Sequence, residues 1–102
     1  MNVDALRSKS GEAAGFLKIL ANDRRLMILC ELLKGERSVG ELEHVVGLSQ
    51  SALSQHLGKL RRSRLVKTRR NSQTIHYSLA DPGVRKVIDA LYGLYCHPTR
   101  RR

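Results

Sequence analysis

The 102-residue sequence carries 19 Lys and Arg against 9 Asp and Glu, a formal charge of +10 at pH 7. Hydrophobic residues at 41% and charged residues at 27% exclude an acidic disordered segment and fit one globular domain. No run approaches the roughly 18 consecutive apolar residues of a membrane span, and the excess of positive charge points to a polyanionic partner.

The segment MNVDALRSKSGEAAG lacks an apolar signal core, so the expected location is cytoplasmic, with no membrane partner. Residues 1–11 read as a flexible N-terminus, 12–96 as a single folded unit and 97–102 as a basic C-terminal tail. From Glu12, the residues Ala13, Phe16, Leu17, Ile19 and Leu20 form a helical apolar stripe that stops at Asn22-Asp23. Asp23 is a candidate cap for a second helix. There Leu26, Leu29, Cys30 and Leu33 recur at helical spacing, a pattern that turns Cys30 towards the core, and Gly35 is the stop signal. Ser38 with Glu41 matches a capping box for a short third helix, SVGELEHVV, ended by Gly47.

A fourth helix is predicted from about Gln50 to Ser63 behind the cap Ser49, after the turn Gly47-Leu48-Ser49-Gln50. At 100° per residue Leu53, Leu57 and Leu60 share its buried face. Ser51, Gln55, Lys59 and Arg62 fall opposite, with Ser54 and His56 on the flanks. The pattern then switches to LVKTRR, NSQ and TIHYSL, two strands and a polar turn. Asp81 and Pro82 open a last helix to about Cys96, with Val84, Val87, Ile88, Leu91 and Tyr95 on one side. The expected fold is mainly α with a small β-hairpin: four helices, two strands and a closing helix, the order of a winged helix-turn-helix.

Between His44 and Ala80 there is no Asp or Glu, whereas Lys59, Arg61, Arg62, Arg64, Lys67, Arg69 and Arg70 supply seven positive charges. Such a run by itself fits a solvated face. Here it follows a helix whose outer side offers Ser and Gln, groups able to hydrogen-bond base edges, so duplex DNA is the expected partner. Ser49, Gln50, Ser51, Ser54, Gln55 and His56 belong to the end that enters the major groove. Gln55 has the chemistry to pair with adenine, while His56 suits packing or capping equally well. Lys59 and Arg62 suit phosphates, and Arg69, Arg70, Asn71 and Gln73 make a hairpin tip that reaches flanking DNA. RNA is disfavoured because Tyr77, Tyr92 and Tyr95 sit in core or interface patterns rather than as stacking platforms. No nucleophile–base pair, phosphate loop or metal motif suggests an enzyme.

Cys30 and Cys96 are 66 positions apart, too few for a disulfide scaffold and too scattered for a CxxC motif. From the residues alone they serve equally well as inert packing thiols. Burial of Cys30 and the helix C-terminus at Cys96 both disfavour thiolate, with Lys34 and His97 as candidate compensating cations.

The stretch LSQSALSQHLGKLRRSRLVKTRRNSQTIHYSL, residues 48–79, with LKILANDRRLMILCELL at 17–33, resembles the ArsR/SmtB-type winged-helix repressors of bacteria over residues 12–96. The resemblance implies a homodimer joined through its first and last helices that leaves palindromic operator DNA when an inducer acts. Metal-sensing members carry a CxC segment near the third helix or DxH…HxxE on the last. SVGELEHVV and DPGVRKVIDALYGLYCHP lack both sets, so no metal or cofactor is expected. ILCELL and LYGLYCHP resemble the cysteine positions of the BigR/SqrR/HlyU subgroup, in which sulfide-derived persulfides or oxidants cross-link two thiols. That likeness implies Cys30 and Cys96 as sensing thiols. The alternatives are a metal sensor of the same fold and a constitutive basic nucleic-acid-binding protein with inert cysteines.

Overall fold

A computed structural model describes residues 1–96; the expectations for His97 and the basic tail lie outside the described residues. The elements in chain order are α1 (Val3–Ser8), α2 (Ser10–Leu20), α3 (Asp23–Leu33), β1 (Arg37–Ser38), α4 (Val39–Val46), α5 (Gln50–Arg62), β2 (Val66–Asn71), β3 (Thr74–Leu79) and α6 (Pro82–Tyr95). Their order is that of a winged helix-turn-helix, mostly helical with a small antiparallel sheet.

Local chemistry explains most boundaries. The Ser38 hydroxyl accepts from the Glu41 backbone N–H at 3.1 Å, and Glu41 Oε1 accepts from the Ser38 N–H at 2.8 Å, completing the capping box of α4. Gly47 ends α4 at φ 72°, a left-handed conformation that costs a glycine little. Ser49 caps α5 by accepting from the Ala52 N–H at 3.2 Å, so the turn between the two helices is the three residues Gly47–Ser49. Asp81 caps α6 through the Gly83 N–H at 2.8 Å with Pro82 at the first helical position, where its missing N–H is no loss.

Four features depart from the sequence reading. A short helix, α1, occupies the segment read as flexible. Asn2 caps it at 3.1 Å, but none of its residues is buried, so no apolar periodicity announces it. The cap of α3 is Asn22, whose side chain accepts from the Arg25 N–H at 3.0 Å. Asp23 instead takes the first turn, where its charge complements the helix dipole. The sheet has a third strand: β1 pairs Arg37 with Tyr77 and Ser38 with His76, giving the order β1-β3-β2. A two-residue strand is too short to alternate visibly.

The fourth departure concerns α3. Its buried face is Ile28, Leu29 and Leu32, not an arc reaching Cys30, which is exposed. Because α3 packs against α2, α4, α5, α6 and β3, neighbours on several sides set its buried arc. The core is aliphatic throughout, joining Leu20, Leu42, Val46, Leu53, Leu57, Leu60, Leu65, Val66, Val84 and Ile88 to those three residues. This core fixes the outward face of α5.

Candidate nucleic-acid interface and thiol groove

Leu53, Leu57 and Leu60 bury one side of α5, so Gln50, Ser51, Ser54, Gln55, Lys59 and Arg62 stand exposed on the other, beside the exposed cap Ser49. His56 lies half-buried at the edge, its Nδ1 3.5 Å from an Arg25 terminal nitrogen. Burial, then Arg25 and Lys59, hold the His56 imidazole below its ordinary pKa, against the opposing pull of Asp23.

Leaving α5, the chain turns sharply at Arg64, φ 64°. The Leu65 N–H donates to the Leu60 carbonyl at 3.0 Å and the Arg64 N–H to the Arg61 carbonyl at 2.9 Å, a Schellman motif with Arg where glycine is usual. The turn delivers the chain to β2 and the wing. Lys67, Arg70, Asn71 and Gln73 are exposed there, and Asn71 pairs with Thr74 across a two-residue tip. Arg69 is exposed but committed: its Nε and terminal nitrogen donate to Glu36 at 3.0 and 2.7 Å. The bond to Arg69 is the main cause of the lowered Glu36 pKa. Sequence reading placed Arg69 with Arg70 at the tip and missed Glu36, because the two partners are 33 positions apart.

The two cysteines meet on a different surface. A groove of about 440 Å³ between α3 and α6 is lined by Leu26, Cys30, Ile88, Leu91, Tyr92, Tyr95 and Cys96. Burial, followed by the charges of Glu31 and Cys96, raises the Cys30 pKa above its ordinary 9.0. Lys34 lowers it least, and its ammonium is engaged by Glu31 at 2.9 Å, so the compensation expected of Lys34 is small. Among the described residues no three His, Cys, Asp or Glu side chains converge on a possible metal position. No helix among them is long and apolar enough to cross a membrane.

The helix-turn-helix, its polar outer face and the basic wing define a DNA-binding transcription regulator. The family described as "Bacterial regulatory protein, arsR family" matches residues 22–68. The chain is 51% identical to the transcriptional activator HlyU of Vibrio cholerae over 94% of this chain and 89% of that protein. It is 58% identical to the nodulation protein NolR of Rhizobium meliloti, over 81% of this chain and 68% of that one. The crystal structure of the transcriptional repressor BigR from Xylella fastidiosa superposes with a TM-score of 0.91 at 42% identity, covering 95% of this chain and 99% of that one. The chain belongs to the ArsR family of bacterial regulators.

Proposed function

We propose that the protein is a homodimeric repressor that binds a palindromic operator and is released when Cys30 and Cys96 are cross-linked by persulfide or oxidant chemistry. The observation that carries this reading is that two thiols far apart in sequence line one groove between α3 and α6. A bridge between them ties together a helix of the DNA-binding unit and the closing helix, so a covalent event becomes a change in helix packing. Such a bridge needs to disfavour the DNA-bound conformation by only about 3 kcal/mol to weaken binding roughly 150-fold.

On the DNA side, Gln50, Ser51, Ser54 and Gln55 read base edges, Ser49 and His56 stand at the margins, and Lys59, Arg62, Arg70, Asn71 and Gln73 serve the backbone. Support for the dimer comes from apolar side chains that are exposed among the described residues: Leu6 on α1 and Leu17 on α2, with Tyr92, Leu94 and Tyr95 on α6. Phe16 and Ile19 on α2 and Ile88 on α6 pack against the core.

The test uses duplexes selected from a random library, with the reduced protein and its Cys30→Ser and Cys96→Ser variants. Wild type releases DNA on treatment with a persulfide donor or peroxide, and both variants bind but do not release. Intact mass separates the products, since sulfur insertion adds mass and a plain disulfide removes two hydrogens. Normal release by both variants overturns the dithiol switch, and release by stoichiometric zinc or copper alone replaces it with metal sensing.

A further inference from the structure

The polar face of α5 continues onto a second helix. Arg25, in the first turn of α3, closes one side of a pocket of about 390 Å³ lined also by Ser54, Gln55, His56, Lys59 and Arg62. Among the described residues its lining holds three permanent cations and an imidazole, and no carboxylate. Arg25 forms a fixed wall: Nε donates to the Ile19 carbonyl at 2.6 Å, and one terminal nitrogen to the Lys18 carbonyl at 3.5 Å. The other terminal nitrogen stands 3.5 Å from His56 Nδ1. A guanidinium has five N–H donors, so these contacts leave N–H groups for an outside acceptor.

We infer that Arg25, His56, Lys59 and Arg62 form a seat for one phosphodiester of the DNA backbone, with α3 lending the recognition helix a cation held in place by its own hydrogen bonds. The inference rests on the reading of α5 as the DNA-facing helix, and adds to it a contact from another element and a proton. An anion is the occupant that relieves the mutual repulsion of these groups, and a duplex presents one negative charge every 1.7 Å or so along its axis.

In the free protein His56 is surrounded by Arg25 from α3 and by Lys59 and Arg62 from its own helix, with Asp23 of α3 as the opposing charge. Its Nδ1 faces a donor, so the neutral ring carries its proton on Nε2. A phosphodiester seated beside the ring reverses the balance: the Arg25 N–H turns from Nδ1 to a phosphate oxygen, Nδ1 takes up the proton, and the imidazolium is favoured. The pKa of His56 is then higher in the complex than in the free protein, and binding takes up a proton. The gain in affinity is complete below the free-protein pKa and is lost as pH rises through the pKa of the complex.

The test is fluorescence anisotropy on a labelled mixed-sequence duplex of about three helical turns, with reduced full-length protein at constant ionic strength between about pH 8 and pH 6. Wild type binds at least about threefold more tightly at the lower pH, and calorimetry in two buffers of different ionisation heat reads net proton uptake. His56→Gln, checked as folded by circular dichroism, loses both signals although the other histidines remain. Arg25→Gln lowers the log–log salt slope by about one. Should that variant unfold, the proton uptake of wild type against His56→Gln still decides. Binding by wild type that is flat in pH, or pH dependence retained in His56→Gln, overturns the phosphate seat alone. Failure of wild type to bind duplex at any pH overturns the DNA-facing reading of α5 with it.

Discussion

Cys30 faces elsewhere than its helical spacing predicts, although its thiol pKa is raised as that spacing implies. Its recurrence with Leu26, Leu29 and Leu33 predicts a core thiol, yet it opens onto a groove whose apolar walls still withhold the solvation a thiolate needs. Since the thiolate is the nucleophile, iodoacetamide should alkylate Cys30 at neutral pH more slowly than free cysteine, with a rate still climbing beyond pH 9.0, the ordinary thiol value. In a Cys96→Ser background, Glu31→Gln removes a like charge and frees Lys34 from its 2.9 Å ion pair, so the neutral-pH rate should rise. Peptide mass mapping over time measures both. A rate that Glu31→Gln leaves unchanged assigns the suppression to burial alone.

Among the elements, the two turns that frame α5 solve one steric problem in opposite ways. A methyl group added at Gly47, φ 72°, would meet no atom within 4 Å, so Gly47→Ala should destabilise by backbone strain alone, about 1–2 kcal/mol. Arg64, at φ 64°, carries that strain already. Arg64→Gly should therefore raise stability by up to about 1 kcal/mol, the relief of strain less the added entropy of the unfolded chain. Urea unfolding measures both, and a destabilised Arg64→Gly would mean that the Arg64 side chain has contacts that outweigh its backbone. The wing supplies a second pair. Because Arg69 already donates twice to Glu36, Arg70→Ala should lower the salt slope of DNA binding by about one and Arg69→Ala by clearly less. Equal effects in salt titrations would mean that Arg69 leaves Glu36 for the phosphate.

The whole molecule is extended for its size, with a radius of gyration of 15.2 Å, against about 13 Å for a compact chain of this length. Most of the large apolar residues left exposed lie on α1, α2 and α6. Leu17 on α2 and Leu94 on α6 are 54% and 50% exposed, and among the described residues none of α1 is buried. Wild type should sediment at twice the chain mass, whereas Leu17→Glu with Leu94→Glu should sediment as a monomer and bind DNA far more weakly. That loss follows because one recognition helix cannot span two half-sites about one helical turn apart. A double variant that stays dimeric places the two-fold elsewhere.

What was legible in the residues themselves was whatever depends on neighbours within about a helical turn. The capping box at Ser38 and Glu41, the αL stop at Gly47, the cap at Ser49, the Asp81-Pro82 start and the Leu53-Leu57-Leu60 stripe are interactions between groups two to seven positions apart. Such groups are brought together by local helix and cap geometry. The acid-free basic window was equally plain, since charge needs no fold to be counted. Packing alone decided which way Cys30 faces, that Arg25 stands beside His56 across 31 positions, and that Glu36 holds Arg69 across 33. Each of these joins separate elements around the core, and no periodicity within one element records which neighbour will cover it.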